Sequence, residues 1–251
     1  MTTAPVPQNE RQLQLLSCIA RHGQALSARD LAAQTGQPLS TVYRQLLALK
    51  KWGLVQEHQH SGHYEAGPLA LQLAWSYDQH SWLIAAARSE IDRLVERSGE
   101  SVGLLCHLNG QVMCIALQDS PQALRCSFAK GRAHVTVRGA SAKALLAYLP
   151  ADSQQELITA DFLSQVPQSA AALDALQAQL QQIRLQRYAT SESEVDAGIW
   201  GVSVPVFSAH QQLQATLSLM APLQRSLGRQ PELITLTLAA ADRLSSRLQQ
   251  T

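Results

Sequence analysis

Along the first fifty residues, apolar positions recur every three or four places and are punctuated by glycines, the period of amphipathic helices and their stops. Leu13, Leu16 and Ala20, with Leu15 and Ile19 beside them, form the first set, closed by Gly23. Ser27 suits an N-cap, Asp30 stands three residues on as in a capping box, and Leu31-Ala32-Ala33 runs to a natural stop at Gly36. Pro38 suits the first turn of a third helix whose buried face is Val42, Leu46 and Leu49, ending near Trp52 and Gly53. The pattern then changes. Leu54 to His58 and Tyr64-Glu65 read as two short strands around a Gly-containing turn, a β-hairpin wing.

An apolar helix from Pro68 to about Tyr77 reads as a connector, and a longer one from Trp82 to Arg97 carries Ile84, Ala87, Ile91, Leu94 and Val95 on one side. The second half mixes strands and helices. Val102 to Leu108 and Gln111 to Leu117 flank Asn109-Gly110, a strong hairpin signal. A further strand is expected over Leu124 to Phe128, helices over Ala140 to Tyr148 and Ala170 to Gln186, and strands over Val202 to Phe207 and Leu213 to Met220. A last helix is expected to turn Ile234, Leu238, Ala241, Leu244 and Leu248 inward. The fold class is therefore α+β in two domains, divided as 1–66 for the winged helix-turn-helix, 67–80 for a linker helix and 81–251 for an α/β domain.

Composition adds mainly exclusions. With 46% hydrophobic and 16% charged residues the chain reads as globular, and without an apolar run near 18 residues or a basic, apolar leader it is expected in the cytoplasm, away from the membrane. Cys18, Cys106, Cys114 and Cys126 have no zinc-ribbon spacing and read as buried thiols. The net charge of +1 announces no nucleic-acid partner. Locally, residues 1–77 carry six basic side chains (Arg11, Arg21, Arg29, Arg44, Lys50, Lys51) against four acids (Glu10, Asp30, Glu57, Glu65), an excess compatible with DNA.

Helix, tight turn, helix and wing is the order that lays a recognition helix in the major groove. On the third helix Ser40, Thr41, Tyr43, Arg44 and Lys50 are not needed for the core, and an arginine with short hydroxyls suits base edges. A solvated helix face is the plainer reading of any one of them. The wing holds His58, His60 and His63, and because wings lie beside the sugar-phosphate backbone, His60 and His63 join the candidate DNA contacts. A polar wing tip accounts for these histidines better than a metal site, and no metal or cofactor is expected. A protein-interaction winged helix without DNA binding is a weaker reading. The alternative to a regulator is a hydrolase built on the second domain, but Ser141 and Ser191 sit in no GxSxG elbow and no nucleophile and base can be paired.

Read in order, the segments Leu31-Ala32-Ala33-Gln34-Thr35-Gly36, Ser40 to Leu47, Gly53-Leu54-Val55, Gly131, Ala140 to Ala147 before Leu149-Pro150, Arg187-Tyr188-Ala189, Glu194, Gly198, Pro205-Val206-Phe207 and Leu217-Ser218-Leu219 resemble the IclR family of bacterial regulators over nearly the whole chain. The resemblance implies a winged-helix DNA-binding domain, a helical linker and a GAF-like effector domain. It also implies dimers or tetramers, operator DNA as partner, and a small organic acid or sugar acid as effector that modulates a regulator, more often a repressor. Carried over by position, the effector pocket falls on Ala140, Ser141, Ser191, Gly201, Ser218 and Met220. Ala142 stands where the family usually has glycine, Val135 where it has proline, and Ser191, Gly201 and Met220 replace acidic, cysteine and serine choices. The helix after Ala140 would offer free N–H groups to a carboxylate, and Arg138 just before it is a candidate cation for the same group or else a plain surface arginine.

Overall fold

The computed structural model describes residue 7 and residues 10–59, 61–125, 129–135, 138–158 and 170–250. The chain divides into two compact units, Met1–Ser81 and Trp82–Thr251.

In the first unit, α1 (Arg11–His22), α2 (Ala28–Thr35) and α3 (Leu39–Lys51) surround a core of Leu15, Cys18, Ile19, Leu31, Val42, Leu46 and Leu49. The expected capping box forms: the Asp30 N–H donates to Ser27 Oγ at 3.2 Å, and the Ser27 N–H donates to Asp30 Oδ2 at 3.1 Å. The buried face of α1 differs from expectation. Leu13 and Ala20 are exposed, because Leu15, Cys18 and Ile19 already fill the turn-to-turn stripe facing α2 and α3. Three strands, β1 (Leu26–Ser27), β2 (Val55–His58) and β3 (His63–Ala66), pair in the order β1-β3-β2 to make the wing. Its base is tight: a Cβ on Gly67 would lie 2.2 Å from the Gly53 carbonyl oxygen, so only glycine lets the returning strand pass. Next comes α4 (Leu69–His80), none of whose side chains is buried.

The second unit is a six-stranded antiparallel sheet between two helical layers. Its strands are β4 (Ser101–Leu108), β5 (Gln111–Gln118), β6 (Ala133–Val135), β7 (Ala189–Glu192), β8 (Ile199–Phe207) and β9 (Leu213–Pro222), in the order β6-β5-β4-β9-β8-β7. Asn109 and Gly110, both at positive φ, make the two-residue turn between β4 and β5. On one face α5 (Trp82–Ser98) and the C-terminal α10 (Gln230–Gln249) cover Val102, Leu104, Val202, Val204, Leu217 and Leu219. The two helices are clamped by buried Glu90, which accepts hydrogen bonds from Arg243 at 2.8 Å and Arg247 at 3.1 Å. On the other face lies α6 (Ala140–Tyr148), packed on Leu105, Val112 and Cys114 and against α8 (Ala170–Gln186). Between α6 and α8 runs α7 (Ala151–Leu157), and the short α9 (Leu223–Ser226) follows β9.

Three expectations are corrected here. The strand after β5 is β6 at Ala133–Val135, whereas Leu124 lies in a bend and Arg125 outside any strand; residues 126–128, with Cys126, lie outside the described residues. The inward stripe of α10 is Leu233, Thr237, Ala240, Ala241, Leu244 and Leu248, with Ile234 and Leu238 on its flank. Thr237 can be buried because its hydroxyl donates to the Leu233 carbonyl at 2.7 Å, leaving no polar group unmatched. Pro38 caps α3 from outside instead of standing in its first turn.

Candidate functional site

On α3, Ser40, Tyr43, Arg44, Leu47 and Lys51 are exposed along one arc, with Thr41 half-buried at its side. Lys50 is not on that arc. Its ammonium donates to Glu57 Oε2 at 2.7 Å and lies 5.8 Å above the Tyr64 ring, and the hydrogen bond it gives Glu57 raises its pKa above the usual lysine value. Lys50 thus ties the recognition-helix candidate to the wing, while Arg44 points away from the core.

The wing's carboxylates are each covered by donors. Gly62 N–H donates to Glu57 Oε1 at 3.2 Å, opposite the oxygen that holds Lys50. Glu65 accepts from Gln56 at 2.8 Å and lies 3.0 Å from His58 Nδ1; these contacts, Gln56 first, hold it below the ordinary carboxylate range. The wing therefore presents little bare negative charge to a phosphate backbone. His63 is exposed, its Nδ1 3.1 Å from the Ser61 carbonyl oxygen, and His60 lies outside the described residues.

A cavity in the second unit is lined by Gly139, Ala140, Ser141, Ser191, Glu194, Val195, Asp196, Ile199, Gly201, Ser203 and Met220. Strand register explains the convergence of residues so far apart in sequence. Ser191 pairs with Gly201, and Gly201 with Met220, so one row crosses β7, β8 and β9 beneath the start of α6. The next row places Ser203 opposite Ser218, their hydroxyl oxygens 2.7 Å apart. Ser218 is buried behind Ser203 and does not line the cavity; Arg138 is exposed and does not line it either. The space open to the centres of water-sized spheres is about 30 Å³. One water needs about 10–15 Å³ on that measure, so the cavity suits a molecule of a few non-hydrogen atoms.

The start of α6 is shaped by Gly139, whose φ of 87° requires glycine; a Cβ there would also fall 2.8 Å from Val195 Cγ2. Glu194 reaches back over this end, accepting from the Gly139 N–H at 3.0 Å and from buried Lys143 at 2.6 Å. It is one of two charged groups on the cavity wall, with exposed Asp196, and Lys143 neutralises it. What remains for a ligand is the N–H groups of the first turn of α6 and the hydroxyls of Ser141, Ser191 and Ser203.

Sequence reasoning did not select Gly139, Glu194, Val195, Asp196, Ile199 or Ser203 as lining. Ser203 was within reach, since it stands two places from Gly201 and so shares its face of the strand. Three serines line the cavity with no histidine or cysteine among the lining residues, and of its two carboxylates Glu194 is held by the Gly139 N–H and Lys143 while Asp196 is exposed. The described cysteines keep their protons at neutral pH: burial raises the thiols of Cys18 and Cys106 and pushes Cys114 up to about 11.

Family profiles cover almost the entire chain. The IclR helix-turn-helix domain matches residues 10–59, and the bacterial transcriptional regulator IclR C-terminal domain matches residues 76–246. The acetate operon repressor of Salmonella typhimurium is 28% identical over 231 residues, covering 89% of this chain and 84% of its own. The transcriptional repressor IclR of Escherichia coli is 26% identical over 226 residues, covering 89% of this chain and 82% of its own. The crystal structure of an IclR family transcriptional regulator from Brucella abortus superposes with a TM-score of 0.81 at 16% identity, covering 95% of this chain and 91% of the other, and shares the fold.

Proposed function

The chain belongs to the IclR family of bacterial transcriptional regulators, and from that premise we propose that it is a repressor released or retained on its operator by a small carboxylic acid bound in the cavity beside α6. It is a DNA-binding regulator and not an enzyme, and the hydrolase reading finds no support. The observation that carries the proposal is the cavity itself: it is small, and it is lined by the first turn of a nine-residue helix and three serine hydroxyls. Amides at a helix N-terminus favour an anion, and the hydroxyls suit a hydroxy or keto oxygen beside it.

Ala140, Ser141, Ser191, Gly201 and Met220 form the effector wall in this reading, with Ser218 supporting Ser203 from behind and Arg138 outside the first contacts. Ser40, Thr41, Tyr43 and Arg44 meet the DNA, Lys50 orients the wing, and the wing histidines lie near the phosphates. The operative unit is a homodimer or a tetramer built from it, bound to operator DNA in the cytoplasm. Supporting the dimer, α4 exposes Leu71 and Trp75 on one side and Leu73 and Tyr77 on the other, apolar groups of the kind that mark a contact between chains. No helix among the described residues is long and apolar enough to cross a membrane.

The test is a thermal-shift screen of the full chain against C2 to C6 organic and sugar acids, followed by binding to its own upstream DNA. A ligand at 100 times its Kd stabilises by about 2.7 kcal/mol, a plainly visible shift. The expected pattern is that small acids shift the melting temperature and change DNA affinity; acids that do neither while an uncharged ligand does both would refute the carboxylate assignment.

A further inference from the structure

We propose that Leu47 is a base-reading residue that selects operators by packing on the 5-methyl group of a thymine next to the base pair read by Arg44. The inference rests on the assignment of α3 as the recognition helix. Leu47 is 68% exposed, more than any other large apolar residue on that helix. At about 100° per residue it projects between Tyr43 and Arg44 and within one turn of both. The exposed arc therefore runs Tyr43, Leu47, Ser40, Lys51, Arg44, and Leu47 stands between the half-exposed Tyr43 ring and the polar, basic side made by Ser40, Lys51 and Arg44.

The core of the unit does not need it. Val42, Leu46 and Leu49 fill the buried stripe of α3, and each is almost wholly removed from water. An apolar side chain beside a polar, basic face is matched by one feature of the major groove. Thymine alone among the four bases presents an apolar group there, and leucine has no hydrogen-bonding group with which to read any other edge. The occupant of this face is therefore duplex DNA with an A·T pair one step from the guanine that suits Arg44. Ser40 and Lys51, at opposite ends of the helix, are left for hydroxyl and phosphate contacts, so discrimination at the A·T step falls to Leu47, helped at most by the Tyr43 ring.

The experiment removes the methyl and the leucine separately. Binding sites are selected from a random duplex pool with the full-length protein, and each thymine of the selected site is then replaced singly by uracil, which deletes only the methyl. Wild-type protein is expected to lose about fourfold in affinity at one thymine in each half-site, the worth of one buried methyl, while Leu47→Ala binds the thymine and uracil sites equally. Alanine is the better helix former, so the variant keeps α3 intact. Wild-type protein indifferent to uracil at every position overturns the proposal, and so does a Leu47→Ala variant that remains as methyl-sensitive as the wild type. Equal loss on all DNA together with a smaller assembly in sedimentation also overturns it, since the face would then belong to a second copy of the chain. Arg44→Ala separates the two levels. If it keeps site selectivity, the recognition-helix assignment fails along with the proposal; if selectivity is lost there while Leu47→Ala discriminates as the wild type does, only the thymine contact fails.

Discussion

Replacing Glu194 by glutamine leaves a buried ammonium without its counter-ion, and the structure sets the size of the effect. The Lys143 side chain is 5% exposed and its Nζ is 2.6 Å from Glu194 Oε1, whereas Glu194 itself is 34% exposed. Breaking a fully buried ion pair by removing one partner costs about 3–5 kcal/mol. Water reaches the Glu194 side, so the lower part of that range, discounted to about 2–3 kcal/mol, applies. Glutamine keeps an oxygen for either Gly139 N–H or Lys143, not the charge for both. Lys143→Met is expected to be milder than Glu194→Gln, because it removes the buried charge outright and leaves a carboxylate that water can reach. The double variant should recover part of the loss, giving a coupling energy of the kind a double-mutant cycle isolates. Urea unfolding followed by Trp200, which is buried in the sheet of the second unit, reports the transition once exposed Trp52, Trp75 and Trp82 are changed to phenylalanine. With a slope of about 2 kcal/mol/M, Glu194→Gln should lower the midpoint by about 1 M. A midpoint unchanged within error, or Lys143→Met proving the more damaging of the two, would refute this account of the pair.

Three further outcomes are expected. Arg44→Ala should reduce operator affinity by about 1–3 kcal/mol without moving the melting temperature, measured by titration at fixed salt; unaltered affinity would remove Arg44 from the interface. Ser141→Pro deletes a donor at a helix position that tolerates proline, so calorimetry should show weaker acid binding with operator binding by the ligand-free protein intact. At the capping box, Ser27→Ala should cost about 1 kcal/mol. The Ser27 hydroxyl and N–H hold the Asp30 pKa below its ordinary 3.8, so the carboxylate's contribution is complete above that value and lost as pH falls through the lowered one. Acid denaturation curves of wild type and Asp30→Asn should therefore diverge only above that window.

Much of the fold was legible because local chemistry and packing agreed. Ser27 with Asp30, Asn109-Gly110 and the glycine stops named their own conformations, and α6 reads as an apolar run because it is buried on every side. The misread helix faces share a cause, which is that a stripe of hydrophobic residues fixes a helix but not its rotation. Leu13, Ile234 and Leu238 look like core by spacing, yet Cys18 and Thr237 took those places, the latter through a hydroxyl satisfied by its own helix. Short elements such as β1, β6 and α7 exist through their neighbours' edges and faces and have no signal of their own. The cavity was only half legible. Ser191, Gly201 and Met220 form a row through strand register, which single-chain patterning does not encode, and the placing of Glu194 over α6 depends on a contact spanning more than fifty residues. The pairing of Lys50 with Glu57 lies across the wing and has no signal in the pattern of α3.

The acid proposed for the cavity beside α6 and the operator are linked through this chain, a linkage in which each changes the affinity for the other. It is tested most directly by measuring the affinity of the full-length protein for its operator by fluorescence anisotropy at fixed salt, with and without the acid that stabilises it. The account predicts a change of about 5- to 150-fold, and calorimetry of the acid with and without operator must give the same factor, because linkage is reciprocal. Acid binding that Ser141→Pro weakens, combined with operator affinity the acid leaves unchanged, would contradict it.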